Sequence, residues 1–210
     1  MSAEDVNGGA VNGQFTARRA LPADAALVTD IITLAFAHDP LWTAAIAAPT
    51  GRTDHSALFW RMWVDGGLRY PWTWLADDGA AASVWIPPGG TELSPEQDVR
   101  LAELARVHLG DRADDFADLL ERFEAAHPRG EPHYYLGMLA THPDFRGRGI
   151  GMRLLAHDLE LIDREHLPAY LESSNPVNDH RYASVGFEAV GQIVYPPSGA
   201  VATTMWRAAR

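Results

Sequence analysis

A chain of 210 residues, 47% hydrophobic and 21% charged, has the make-up of one globular domain with a sizeable core. A formal net charge of −11 argues against nucleic acid and against anionic membranes, because both need a basic footprint. The lack of cysteine excludes a disulfide framework and a cysteine acyl-enzyme, and points away from secretion and toward the cytoplasm.

Residues 1–14 lack the basic start and apolar segment of a signal peptide, and their Gly, Asn, Ala and Asp content reads as a disordered tail. That leaves 15–210 as a single domain. Residues 15–20 are a short first strand. Pro22 and Asp24 open a helix with Leu27, Ile31 and Leu34 on one face and Val28, Ile32 and Ala35 beside them. It ends near His38-Asp39-Pro40, since the residue before a proline disfavours helix. His38 and Asp39 read as a capped surface turn, with the border of a pocket as the other reading.

A second helix runs from Asp54 to about Leu68, burying Trp60, Trp63, Val64 and Leu68. Residues 72–76 and 81–86 form a hairpin around Asp77-Asp78-Gly79. Alternation puts Trp72 and Trp74 on one strand face, which favours core. Trp85, nearer its strand end, suits a pocket wall better. Residues 94–106 and 112–126 are two amphipathic helices, the first carrying Val99, Leu101, Leu104 and Val107, the second Phe116, Leu119, Leu120 and Phe123. They form an insertion that can serve as a substrate lid.

Residues 134–152 then read as a buried strand, a turn and a glycine-rich entry into a helix. The first N–H groups of a helix lack partners within it, and its dipole favours anions. Glycines let a phosphate approach the backbone. The run Arg146-Gly147-Arg148-Gly149-Ile150-Gly151 is neither a dinucleotide fingerprint nor a P-loop, but fits Arg/Gln-x-x-Gly-x-Gly/Ala. A helix over 149–165 follows, then a strand over 169–173, an Asn-containing loop, a short helix over 179–185 stopped by Gly186, and two strands, 187–194 and 201–206. Nine histidines occur without His-Glu-x-x-His or similar spacing, so no metal is expected. No stretch reaches the length of a transmembrane helix.

The Arg146–Gly151 loop resembles the pyrophosphate loop of GNAT superfamily N-acetyltransferases, and Tyr182-Ala183-Ser184-Val185-Gly186-Phe187 resembles the Tyr-x-x-x-Gly-Phe near the end of those enzymes. Within the superfamily, Tyr170-Leu171-Glu172-Ser173-Ser174 and Trp74-Leu75-Ala76-Asp77-Asp78-Gly79-Ala80 are similar to puromycin N-acetyltransferase-like proteins. Arg181 and Ala183-Ser184-Val185 depart from that pattern.

The resemblance implies an α/β (α+β) GNAT fold: a mixed, mostly antiparallel twisted sheet of about six to seven strands flanked by helices. It implies acetyl-CoA as co-substrate and direct transfer to a small-molecule amine, an antibiotic among the candidates, by a monomer or homodimer. Acetylation of a protein or peptide amine and non-catalytic acyl-CoA sensing are the alternatives. It also places pantetheine against Leu139, Ala140 and Thr141, where the strand parts from its neighbour. The pyrophosphate falls on Arg146, Gly147, Arg148, Gly149, Gly151 and Met152, and Asn175 and Asn178 contact the cofactor or form a turn.

Tyr182 is the candidate general acid, because a phenol with a reference pKa of about 10 stays protonated beside a thiol at about 8.5. Glu172 is the candidate general base, with His133 second.

Overall fold

The computed structural model describes residues 15–210; the expected tail lies outside the described residues. The strands are β1 (Ala17–Arg19), β2 (Thr73–Ala76), β3 (Ala81–Ile86), β4 (Tyr134–Thr141), β5 (Ala169–Ser173), β6 (Glu188–Tyr195) and β7 (Ala200–Arg207). They form one sheet in the order β1-β2-β3-β4-β5-β7-β6. Every pair is antiparallel except β4 and β5. The parallel pair needs a crossover, which the helix α6 (Ile150–Asp163) supplies.

The remaining helices are α1 (Ala25–Phe36), α2 (Pro40–Ile46), α3 (Ser56–Gly67), α4 (Pro95–Leu109), α5 (Ala113–Ala126) and α7 (Asp179–Ala183). None among the described residues is long and apolar enough to cross a membrane. One core joins α1 to α5 with Leu75, Ala82, Val84, Met138 and Ala140; a second joins α6 with Trp74, Ala81, Trp85 and Leu136. The alternation along β2 and β3 is what sends neighbouring residues to opposite cores.

Four expectations need correction. Helix α2 lies where the sequence reading ended a helix: Asp39-Pro40 stops α1 and also starts α2, with proline in the first turn and the Asp39 carboxylate accepting from the Leu41 and Trp42 N–H groups. On α1 the buried face is Val28, Ile31 and Ile32, whereas Leu27 and Leu34 are exposed, because the helix meets the sheet along the neighbouring stripe. On α4, Val99 and Val107 are likewise exposed and Leu101 and Ala105 are buried. Trp85 is no pocket wall. It is fully buried, and its indole N–H donates to Asp158 at 2.9 Å, which Ser83 Oγ also reaches at 2.6 Å. Asp158 thereby pins α6 to β3.

The insertion is fastened to the first half of the chain. Ser94 and Gln97 form a reciprocal cap on α4, and the Gln97 amide donates to the Met62 carbonyl at 3.2 Å. The Arg112 guanidinium donates to the carbonyls of Ala44 and Ala47.

Candidate active site

The opening in the sheet begins at Gly137. Strand β4 pairs with β5 only over Tyr134–Leu136, against Ala169–Leu171. On its other side Leu136 faces Trp85 and Met138 faces Val84, so Gly137 is an extra residue bulged out of the ladder. The bulge reverses the alternation: Leu136 points into the α6 core, while Met138 and Ala140 point into the other. Past it, β4 stays bonded to β3 and leaves its β5 side unpaired.

At the end of β4 the chain turns into α6. Gly147 and Gly149 have φ of +77° and +71°, which a side chain would strain, and no atom lies within 4 Å of where their Cβ would sit. A Cβ on Gly151 would lie 2.4 Å from Thr141 Oγ1, so glycine there lets the helix end approach the strand. The Arg153 N–H bonds the Gly149 carbonyl at 3.0 Å, and the N–H groups of Gly147 to Met152 have no acceptor among the described residues. This is a cradle for an anion. Arg146 is held by the Ala35 carbonyl at 2.8 Å.

One cavity of about 1330 Å³ contains the β4 opening, the cradle and the end of β5. A pocket for one small molecule runs about 300–1,000 Å³, so this one has room for two. It gathers Leu139, Ala140, Thr141, Arg146, Gly147, Gly149, Gly151, Met152, Glu172, Asn175, Asn178 and Tyr182. Of the cofactor-binding and catalytic residues expected from sequence, only Arg148 does not line it: its guanidinium donates to the Asp144 carbonyl and lies over the Phe145 ring. Asn175 Oδ1 accepts from the Val177 N–H at 3.2 Å within the turn that follows β5.

Tyr182 is partly buried on α7. Burial, then the charges of Asp39 and Asp179, push its phenol up to about 12, so it is protonated at neutral pH. Asp39 belongs to this region after all, because its second oxygen accepts from Ser174 Oγ at 2.7 Å while the first caps α2. Burial raises its carboxyl above the usual range. His38 is exposed.

Glu172 has a neighbour that sequence spacing did not reveal. Glu92, on the segment between β3 and α4, projects into the same cavity. Burial, then the charge of Glu172, raises Glu92 to about 8, and burial raises Glu172 to about 7 against the opposing effect of the Tyr135 and Tyr170 phenols. Neither carboxylate has a cationic partner among the described residues. A carboxylate near neutrality is suited to taking a proton.

His133 lines the cavity and is engaged at both ring nitrogens. Its Nδ1 lies 2.7 Å from the Glu131 carbonyl and so carries the proton, leaving Nε2 to accept from His127 Nε2 at 3.1 Å. Burial, then the neighbouring His133, lowers His127 to about 4, which keeps it neutral. No group of three or more metal-ligating side chains occurs among the described residues.

Residues 111–189 match the family model described as acetyltransferase (GNAT) domain. Over 79 residues the chain is 37% identical to an uncharacterized protein of Mycobacterium leprae, a match spanning 37% of this chain and 22% of that one. Among solved structures, a protein of Corynebacterium glutamicum described as histone acetyltransferase HPA2 and related acetyltransferase superposes with a TM-score of 0.63 at 22% identity, covering 93% of this chain and 97% of its own. The polyamine N-acetyltransferase of Drosophila melanogaster gives 0.66 at 16% identity, covering 93% and 100%. Arylalkylamine N-acetyltransferase 2 of Aedes aegypti gives 0.67 at 16%, covering 93% and 99%. The chain thus has the GNAT fold, and its stretch from 111 to 189, which holds the β4 opening, the anion cradle and Tyr182, is a match to the GNAT acetyltransferase domain.

Proposed function

We propose that the protein transfers the acetyl group of acetyl-CoA to a primary amine of a small molecule by direct attack in a ternary complex. The observation that carries this reading is the unpaired edge of β4 beyond Leu136, running from a carboxylate pair to an anion cradle within one cavity. The cradle fits a pyrophosphate, and the free strand edge fits an amide-bearing arm laid along it as an added strand. The partial match to the GNAT acetyltransferase domain supports the same co-substrate.

In this mechanism Glu172 or Glu92 takes the ammonium proton, and the neutral nitrogen attacks the thioester carbonyl. A backbone N–H on the open side of β4 stabilises the oxyanion. As the C–N bond forms and the C–S bond breaks, the Tyr182 phenol gives its proton to the departing thiolate, and the second proton shed by the acylated nitrogen restores the phenol, leaving the amide and free CoA. The protonated phenol and the two carboxylates favour an enzyme over a non-catalytic sensor. The solved structures named for polyamines and arylalkylamines fit a small amine, while the one described as a histone acetyltransferase keeps a protein amine as the second reading. A puromycin-type acceptor, and with it an antibiotic-modifying role, rests on the Tyr170–Ser174 and Trp74–Ala80 resemblance. The cysteine-free composition suits the cytoplasm, where acetyl-CoA is supplied.

The test is calorimetric binding of acetyl-CoA together with CoA release in the presence of amines. Tyr182→Phe is expected to lower turnover about 10²-fold while leaving acetyl-CoA affinity unchanged. Absence of acetyl-CoA binding sinks the assignment, and full turnover in the variant removes Tyr182 from the acid role.

A further inference from the structure

The acceptor end of the cavity has two chemically distinct sides. Glu92 and Glu172, with the Tyr135 phenol beside them, form one. The other is aromatic, built from α2, α3 and α5: Trp42 meets Trp60 at 5.3 Å, Trp63 at 5.9 Å and Phe123 at 5.6 Å between ring centroids. Trp60 and Trp63 are mostly core, but both line the cavity, and Trp42 and Phe123 are only partly buried.

We infer that the acceptor is a primary amine on an aromatic body that carries no carboxylate, with its nitrogen against Glu92 and Glu172 and its ring against Trp42 and Phe123. This rests on the acetyl transfer proposed above for the same cavity. Three observations favour it. The two carboxyls line the same cavity without a cation, and burial, with the charge of Glu172 acting on Glu92, raises both into the range where they can receive an ammonium proton. A zwitterionic amino acid would bring a carboxylate against them; of the three guanidiniums lining the cavity, Arg129 pairs with Glu124, Arg146 holds the Ala35 carbonyl at the cradle, and Arg181 sits on α7 beside Tyr182, at the thioester end. The indole and phenyl edges opposite offer area and offset or edge contacts to a ring.

The wall also gives the insertion a role. Phe123 is its contribution to the acceptor side, so α5 would set specificity without touching the reacting atoms.

The experiment measures acetyl-CoA-dependent CoA release by the full chain with phenylethylamine, hexylamine, putrescine and phenylalanine, with acetyl-CoA binding followed separately. The expected kcat/KM for phenylethylamine exceeds that for hexylamine about tenfold, and that for phenylalanine by about 10²-fold or more. Phe123→Leu is expected to lower the aryl-to-alkyl ratio severalfold with acetyl-CoA affinity unchanged. A preference for putrescine or phenylalanine, or an aryl-to-alkyl ratio near one that Phe123→Leu does not alter, overturns the inference. Acetyl-CoA binding without turnover or competition by phenylethylamine also overturns it. Loss of acetyl-CoA binding itself is the separate failure of the proposed transferase function.

Discussion

The Glu92 carboxylate lies over Gly137, with Oε1 3.1 Å from the point a Cβ on that residue would occupy. The bulge that opens the sheet therefore also makes room for a carboxylate beside the opening. Gly137→Ala is expected to push the carboxylate aside by a few tenths of an ångström and lower kcat/KM for the amine severalfold, because a reacting group is sensitive to small misplacement. Acetyl-CoA affinity should stay unchanged. Steady-state kinetics of Gly137→Ala, Glu92→Gln and the double variant provide the check: if the alanine acts through Glu92, the double variant is no worse than Glu92→Gln.

The raised carboxylates carry a stability cost with a definite sign. In the folded chain Glu172 and Glu92 give up protons near pH 7 and 8, against a reference value of 4.5. Between those values the folded state holds more protons than the unfolded state, so stability falls as pH rises. Glu92→Gln removes its share of that fall. The variant's Tm should exceed wild type at pH 8, with the difference shrinking toward pH 5. A variant less stable than wild type at pH 8 contradicts this. Wild-type kcat/KM should rise with pH through about 7 if Glu172 is the base.

Gly151 and Thr141 form the joint between helix and strand at the cradle. Gly151→Ala favours helix intrinsically, yet places a methyl 2.4 Å from Thr141 Oγ1. We expect acetyl-CoA affinity to fall about tenfold, equivalent to about 1.4 kcal/mol. Thr141→Ala in the same chain should restore most of it, because the next nearest atom, Thr141 Cβ, is at an ordinary 3.8 Å. Calorimetric titration of the single and double variants distinguishes this steric account from a general loss of structure.

Asp158 is the buried anchor of α6. Asp158→Ala would orphan the Trp85 indole N–H and the Ser83 hydroxyl, at about 1–3 kcal/mol each. The expected result is a Tm lower by about 5 °C or more, read by thermal unfolding. An unchanged Tm would show that neither donor depends on this carboxylate.

Much of the architecture was legible in local pattern. The Asp77-Asp78-Gly79 turn, the strand before the loop, and the glycine-rich helix entry each have causes within a few residues: φ preference, apolar periodicity and unpaired N–H groups. The same local logic singled out Gly149 and Gly151, and the resemblance singled out Tyr182; all three line one cavity. Local logic failed where one residue served two elements. Asp39-Pro40 carries both a stop and a start signal, and which face of α1 or α4 is buried depends on what lies across from it.

The loop and the succession of strands and helices along the chain were thus legible in the sequence itself, because turn chemistry and periodicity act over short distances, and Tyr182 was marked by the Tyr-x-x-x-Gly-Phe resemblance. The tertiary structure alone decided three things: that Gly137 bulges and frees the edge of β4, that Glu92 meets Glu172, and that Trp85 is held by Asp158 rather than facing the cavity. Each joins residues far apart in the chain. Strand register, carboxylate repulsion and buried hydrogen bonding arise only once the sheet and its helices have brought those residues together.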